Sequence, residues 1–271
     1  MASSHRRRSL ILWVLAIIIT LGSVAYQRAT GPTHPVRGKV KIGEEVLAYK
    51  LIRSQEVTSD AMMQFHILDP LVTGEMRWKR YRSNDDWTTQ PLERQGDFLV
   101  ARIPRQPAAG KVIYEITIID GVGQRFLLCE EPVIIRFKGP VPKAILLPHI
   151  LFMFSAMLVS TRAGLEAITK GGKAYMFAVW TACLLFLGGI IFGPIVQNYA
   201  FGEYWTGWPF GHDLTDNKTA LALLLWLIAL WRGRRHRHGR GWIITASVVQ
   251  LLVYLIPHSV LGSELDYTKM E

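Results

Sequence analysis

Of the eight histidines in this 271-residue chain, His149, His212 and His258 stand where apolar runs meet polar loops. His149 follows Pro148 a few residues into one apolar run, and His258 follows Pro257 at the end of another. Between two further runs lies Gln197-Asn-Tyr-Ala-Phe-Gly-Glu-Tyr-Trp-Thr-Gly-Trp-Pro-Phe-Gly-His-Asp-Leu-Thr-Asp216. This stretch holds Tyr199, Phe201, Tyr204, Trp205, Trp208 and Phe210 beside Glu203, His212, Asp213 and Asp216. The C-terminal stretch adds Ser263, Glu264, Asp266 and Tyr267. An imidazole or carboxylate next to hydrocarbon needs a partner or a wet pocket, and so marks a candidate site. His149, His212 and His258 with Asp213 or Glu264 form an imidazole–carboxylate set suited to Zn or Cu. An interfacial reading stands beside it, because Trp, Tyr and His also collect where bilayer meets water. In that reading Asp216 or Thr215 caps the helix that follows the loop.

The elements that must position these residues are apolar. The chain is 50% hydrophobic and 19% charged with a mean hydropathy of +0.20, whereas soluble domains carry nearer a quarter charged residues. Apolar runs at about 10–26, 144–161, 174–196, 214–231 and 241–257 approach the ~18–20 residues that cross a bilayer. Roughly 115 mixed polar residues separate the first two runs, enough for one small domain. A soluble enzyme, a disordered chain and a disulfide scaffold are excluded. The two cysteines, Cys129 and Cys183, fall in a strand-like segment and an apolar run, so no disulfide between them is expected.

The net charge of +10 is distributed for topology rather than for nucleic acid. The N-terminal tail and the loops at 162–173 and 232–240 contain eleven Lys/Arg, while 197–218 and 259–271 contain only Lys218 and Lys269. The positive-inside rule then makes the N-terminus cytoplasmic, the polar domain extracytoplasmic and the C-terminus extracytoplasmic after five crossings of the cell (inner) membrane. The run Arg232–Arg240 reads as a cytoplasmic hairpin touching anionic headgroups. Arg6-Arg7-Arg8 and the following apolar run read as an uncleaved anchor, and Ser23-Val24-Ala25 also fits a signal-peptide cleavage site.

The domain at 33–141 shows short alternating segments at 36–42, 46–52, 62–67, 76–82, 98–103, 112–119, 124–128 and 133–137, divided by turn residues. Such spacing predicts a β-sandwich. The stretch Trp78-Lys-Arg-Tyr-Arg82, Trp87, Leu92, Asp97–Ile103, Pro104, Gly110, Tyr114-Glu-Ile-Thr117, Asp120 resembles an immunoglobulin or fibronectin-type module. That resemblance implies a fold and not an activity. His66 stands alone on a strand and reads as structural. No Ser/His/Asp or paired-carboxylate set stands out in this domain, and catalysis is not expected of it.

Residues 201–230 resemble the tryptophan-rich WWD loop of haem-handling cytochrome c assembly proteins. The resemblance rests on Phe201-Gly-Glu-Tyr-Trp-Thr-Gly-Trp208-Pro-Phe-Gly-His-Asp213, Asp216, Thr219 and the run Leu221–Leu230. It implies that His149 and His258 are the axial ligands of a haem, of the b type, and that Trp205, Trp208 and Asp213 line its edge. Two imidazoles at equal depth suit both axial positions, and Lys218 would then meet a propionate. Haem and a Zn or Cu ion both stay open at this point.

The expected architecture is an α+β membrane protein. Residues 1–32 form an anchor or signal peptide, 33–141 an extracytoplasmic immunoglobulin-like β-sandwich, and 142–271 a four-helix transmembrane bundle with an outer aromatic loop at 197–218. Two functions compete: a cofactor-binding membrane protein in electron transfer or cytochrome assembly, and a structural or assembly subunit whose sandwich binds an exported partner. A transporter fits poorly, since mid-membrane charge is scarce in the five runs.

Overall fold

The computed structural model describes residues 2–43, 45–235, 239–257, 262 and 264–269. The chain divides into a helical unit (1–32, 141–199, 203–262) and a β-unit (33–140, 200–202, 263–271). His258 and Ser263 lie outside the described residues.

The helical unit contains α1 (Ala2–Thr30), α2 (Lys143–Ile168), α3 (Ala174–Leu185), a π-helical segment (Phe186–Phe192), α4 (Gly193–Phe201), α5 (Leu214–Arg235) and α6 (Gly239–Leu255). The end of α4, from Ala200, belongs to the β-unit. The stretch Ala174–Phe201 is one continuous helix, so among the described residues four helices are long and apolar enough to cross a membrane. The fifth apolar run becomes α6, a shorter helix of 17 residues. The π register precedes Pro194, which has no N–H to offer and would crowd the preceding turn; one extra residue per turn relieves both.

Small side chains let these helices approach closely. Ala156, Ala163, Ala167, Ala178, Ala182, Ala222, Ala229 and Ala246 form the core around the fully buried Trp226. Polar bonds then tie helix to helix. Ser247 Oγ donates to Ser160 O at 2.9 Å, the Trp226 indole N–H donates to Gln250 Oε1, and Gln27 Nε2 donates to Tyr254 O at 3.0 Å. The segment at 162–173, read from sequence as a loop, is helical as far as Ile168. Arg162 ended the hydropathy run because it is charged, yet the backbone continues because the arginine has a partner inside the unit. Cys129 and Cys183 are both free.

The β-unit consists of β1 (Val36–Ile42), β2 (Glu45–Leu51), β3 (Ser54–Glu56), β4 (Ala61–His66), β5 (Thr73–Arg80), β6 (Thr88–Pro91), β7 (Glu93–Gln95), β8 (Phe98–Ile103), β9 (Lys111–Ile119), β10 (Arg125–Leu127) and β11 (Val133–Lys138). All eight strand-like segments of the sequence are strands, and β3, β6 and β7 are additional. β1 pairs with β2, β4–β8–β7 form a second sheet, and β3–β11–β9–β5–β6 form the largest, with β10 beside β9. Among the described strands only β3 and β11 run parallel. Strict alternation buries Val112, Tyr114, Ile116 and Ile118 of β9 and Ala61, Met63 and Phe65 of β4 in one core. Tyr114 is fully buried with its hydroxyl donating to Ile52 O at 2.7 Å, and burial pushes its phenol well above the usual range. Trp78 is half-buried at the edge of this core.

Candidate functional site

The aromatic loop between α4 and α5 is folded by its own carboxylates. Asp213 is the N-cap of α5: its Oδ1 accepts Thr215 N–H at 2.7 Å. This replaces the cap expected at Thr215 or Asp216. Asp216 instead reaches back across the loop, and its Oδ2 accepts the backbone N–H groups of Thr206 at 2.7 Å and Gly207 at 3.0 Å. Gln197 Nε2 from α4 donates to the same oxygen at 3.1 Å and to Thr206 Oγ1 at 2.7 Å. Asn217 Oδ1 accepts Trp208 N–H at 2.6 Å. Residue 207 must be glycine, because a Cβ there would sit 2.6 Å from Asp216 Cβ. Both Asp213 and Asp216 are buried.

This network turns the large aromatics outward. Trp208 is 77% and Phe210 83% exposed, and Tyr199 and Tyr204 are also exposed. Trp205 is half-buried, and its indole N–H donates to Trp208 O at 3.1 Å. His212 is exposed. Lys218 is buried, with its ammonium donating to Ile256 O at 2.8 Å and Pro257 O at 3.5 Å, where it satisfies carbonyls at the C-terminal end of α6.

His149 lies on α2, half-buried, against the π segment. Its Nδ1 is 2.9 Å from Gly188 O. A carbonyl only accepts, so Nδ1 carries the proton and Nε2 the lone pair. Gly188 permits this approach, since a Cβ there would lie 2.9 Å from Phe152 Cβ.

Glu264 belongs to the β-unit, where it pairs with Lys111 and Arg82. Among the described residues no group of three or more His, Cys, Asp or Glu side chains is arranged to hold a metal ion. His258 lies outside those residues, so its distance from His149 is not defined.

Sequence reasoning missed a second buried polar cluster, at the α2–α3 end of the helical unit. Arg162 is 1% exposed and donates to Glu166 Oε2 at 2.6 Å. Its guanidinium lies 4.7 Å from the Phe177 ring centroid and 5.5 Å from that of Trp13, and these rings meet edge-to-face at 5.7 Å. Glu166 Oε1 also accepts Lys173 N–H at 3.4 Å. The available signal was an Arg and a Glu four apart at the end of an apolar run, with one Trp inside the N-terminal run.

No protein-family model and no curated protein matches this chain.

Proposed function

We propose that this chain is a multi-pass membrane protein that carries an exported, immunoglobulin-like β-domain as a structural or assembly subunit of a larger membrane complex. The observation that carries this reading is the path of the chain. Ala200–Gly202 and Ser263–Glu271 both belong to the β-unit, so the chain returns there after α2 to α4 and again after α5 and α6. Within that unit Gly139 N–H donates to Ala200 O at 2.8 Å, and Arg136 lies 3.9 Å from the Phe201 ring centroid. Tyr267 N–H donates to Arg82 O at 3.1 Å, and Leu265 N–H donates to Ala109 O at 3.2 Å. Each helical excursion must then cross a bilayer an even number of times to come back. That supports a crossing for α6, whose 17 residues span about 25 Å of a ~30 Å core. With the arginine-rich N-terminus cytoplasmic, the β-unit and residues 264–269 fall on the exported side.

The chain enters or leaves the β-unit five times. The exposed aromatics of the α4–α5 loop suit the headgroup zone or a neighbouring subunit. The test is the size of the tagged chain after mild solubilisation of native membranes. A discrete complex with at least one other protein is expected; a chain that migrates alone defeats the subunit reading. A reporter fused at the C-terminus should score extracytoplasmic, and a cytoplasmic score would defeat the topology.

A second reading, haem or metal binding, is favoured by the tautomer of His149. Histidines that ligate a metal commonly donate their other ring N–H to a carbonyl, as Nδ1 does here to Gly188, which leaves Nε2 for the metal. His149 fits such a role, with His258 as its proposed axial partner. Lys218 does not fit a propionate contact, because its ammonium is engaged by α6 carbonyls. An absorption spectrum of the purified chain decides this. A Soret band lost in His149→Ala supports the reading; a featureless spectrum together with no bound Zn or Cu defeats it.

A further inference from the structure

The β-unit carries a groove of about 570 Å³, within the roughly 300–1,000 Å³ typical of ligand clefts. Three chain reversals wall it: the β1–β2 turn, the β4–β5 loop and the β9–β10 turn. Pairing of Thr73 with Ile119 brings the last two together. Leu71 fits so closely against Gly121 that a Cβ at 121 would lie 3.1 Å from Leu71 Cβ.

Both loops are stiff. The Arg94 guanidinium donates to Ile67 O at 3.1 Å, to Asp69 O at 3.0 Å and to Val72 O. Asp69 Oδ1 accepts Leu71 N–H at 2.9 Å. Asp120 Oδ1 accepts Val122 N–H at 3.1 Å and Gln124 N–H at 2.7 Å. These bonds hold Leu71 and Val122 away from the core, 70% and 89% exposed, and Val46 on β2 is 61% exposed. Clustered apolar exposure on pre-organised loops is a mark of a recognition surface, since little entropy is lost when it is covered. Among the described residues the charged lining is of one sign. It holds Glu45, Asp69 and Asp120 with His66, and no Lys or Arg, in a chain with 31 of them.

We propose that this groove binds an extended peptide segment of an exported partner in which apolar residues alternate with Lys or Arg. An extended strand presents alternate side chains to opposite sides. One set would cover Val46, Leu71 and Val122, while the cations of the other reach Glu45, Asp69 and Asp120 at the rim. The proposal deepens the subunit reading and rests on it, naming the chemistry of the partner.

The test uses the full chain in phosphatidylcholine nanodiscs and a fluorescein-labelled peptide of roughly eight alternating Lys and Val residues, about 26 Å long when extended. Glu–Val and Lys–Ser peptides of equal length and empty nanodiscs are the controls. The Lys–Val peptide should bind at least about tenfold more tightly than either control peptide. The paired variant Leu71→Ser/Val122→Ser should weaken it by about tenfold or more, and Glu45→Lys by about threefold to tenfold. These three side chains are exposed, so the fold is retained. Equal binding of the Lys–Val and Glu–Val peptides, or binding unchanged by the variants, overturns the proposal. Self-association of the chain that disappears in the paired variant also overturns it, since the groove would then hold a second copy. A native complex that persists in the paired variant overturns the groove while leaving the subunit reading intact; absence of any complex in the unaltered chain defeats that reading first.

Discussion

At the α4–α5 end of the helical unit Asp216 is buried against the amide hydrogens of Thr206 and Gly207, whereas at the α2–α3 end Glu166 is buried against the guanidinium of Arg162. Both carboxylates are removed from water, and each needs donors to remain there. Amide donors are local, so Asp216 organises the loop from Thr206 onward and leaves Trp208 and Phe210 outside. A guanidinium reaches further. Arg162 joins α2 to Trp13 of α1 and Phe177 of α3, and there the aromatics turn inward as faces for the cation. The first arrangement shapes a surface for something else to meet, and the second fastens α1 to the bundle.

The largest expected effect tests the second arrangement. Arg162→Ala should destabilise the helical unit by ~3–5 kcal/mol, because Glu166 is left buried without its guanidinium. Thermal unfolding in detergent would read the loss. Arg162→Met with Glu166→Gln should recover most of it, and a double variant as unstable as the single would refute the pair as the cause.

At the opposite end the effect should be smaller and local. Asp216→Ala removes the acceptor for two backbone amides and should cost ~2–3 kcal/mol of loop stability. Limited proteolysis should then cut within 203–212, with the unfolding midpoint of the whole chain nearly unchanged. Protection equal to that of the unaltered chain would show that Asp213 and Asn217 hold the loop without it.

The β-unit adds a third case, a half-buried carboxylate with two cationic partners. Glu264→Gln should weaken the hold on residues 264–269 by ~1–2 kcal/mol, because it removes the charge facing Lys111 and Arg82. Faster amide hydrogen exchange at Leu265 and Tyr267 would register it.

The smallest effect depends on pH. Arg80 donates Nε and NH2 to Asp85 at 2.7 and 2.6 Å and holds its carboxyl down at about 2. The folded pKa is below the unfolded one, so the stabilisation is complete above the unfolded value near 4 and is lost as pH falls through about 2. Asp85→Asn should cost ~1 kcal/mol at pH 7, allowing for partial exposure, and nothing well below pH 2. A penalty independent of pH would assign the effect to the turn geometry instead.

Much of the architecture was legible because it rests on local periodicity. Alternation in β9 and β4 marks their core faces, and a run of apolar residues marks each long helix, whatever lies beside it. The candidate site was legible only in its residue types. The tryptophan-rich loop, His149 and the two aspartates stand out in the sequence, but their partners come from other elements. Arg162 was read as a loop residue because a charge ends a hydropathy window, and nothing near it in sequence announces Trp13 or Phe177. Glu264 reads as a carboxylate ligand in the sequence, and nothing near it there announces Lys111 and Arg82, which it meets in the fold. Nor can spacing show that Asp213 rather than Asp216 caps α5, or that Gly188 meets His149. Local pattern determines which segments become helix or strand, since backbone hydrogen bonds and side-chain period act within a few residues. Which buried charge finds which donor depends on faces brought together from distant segments, and only the packed structure decides that.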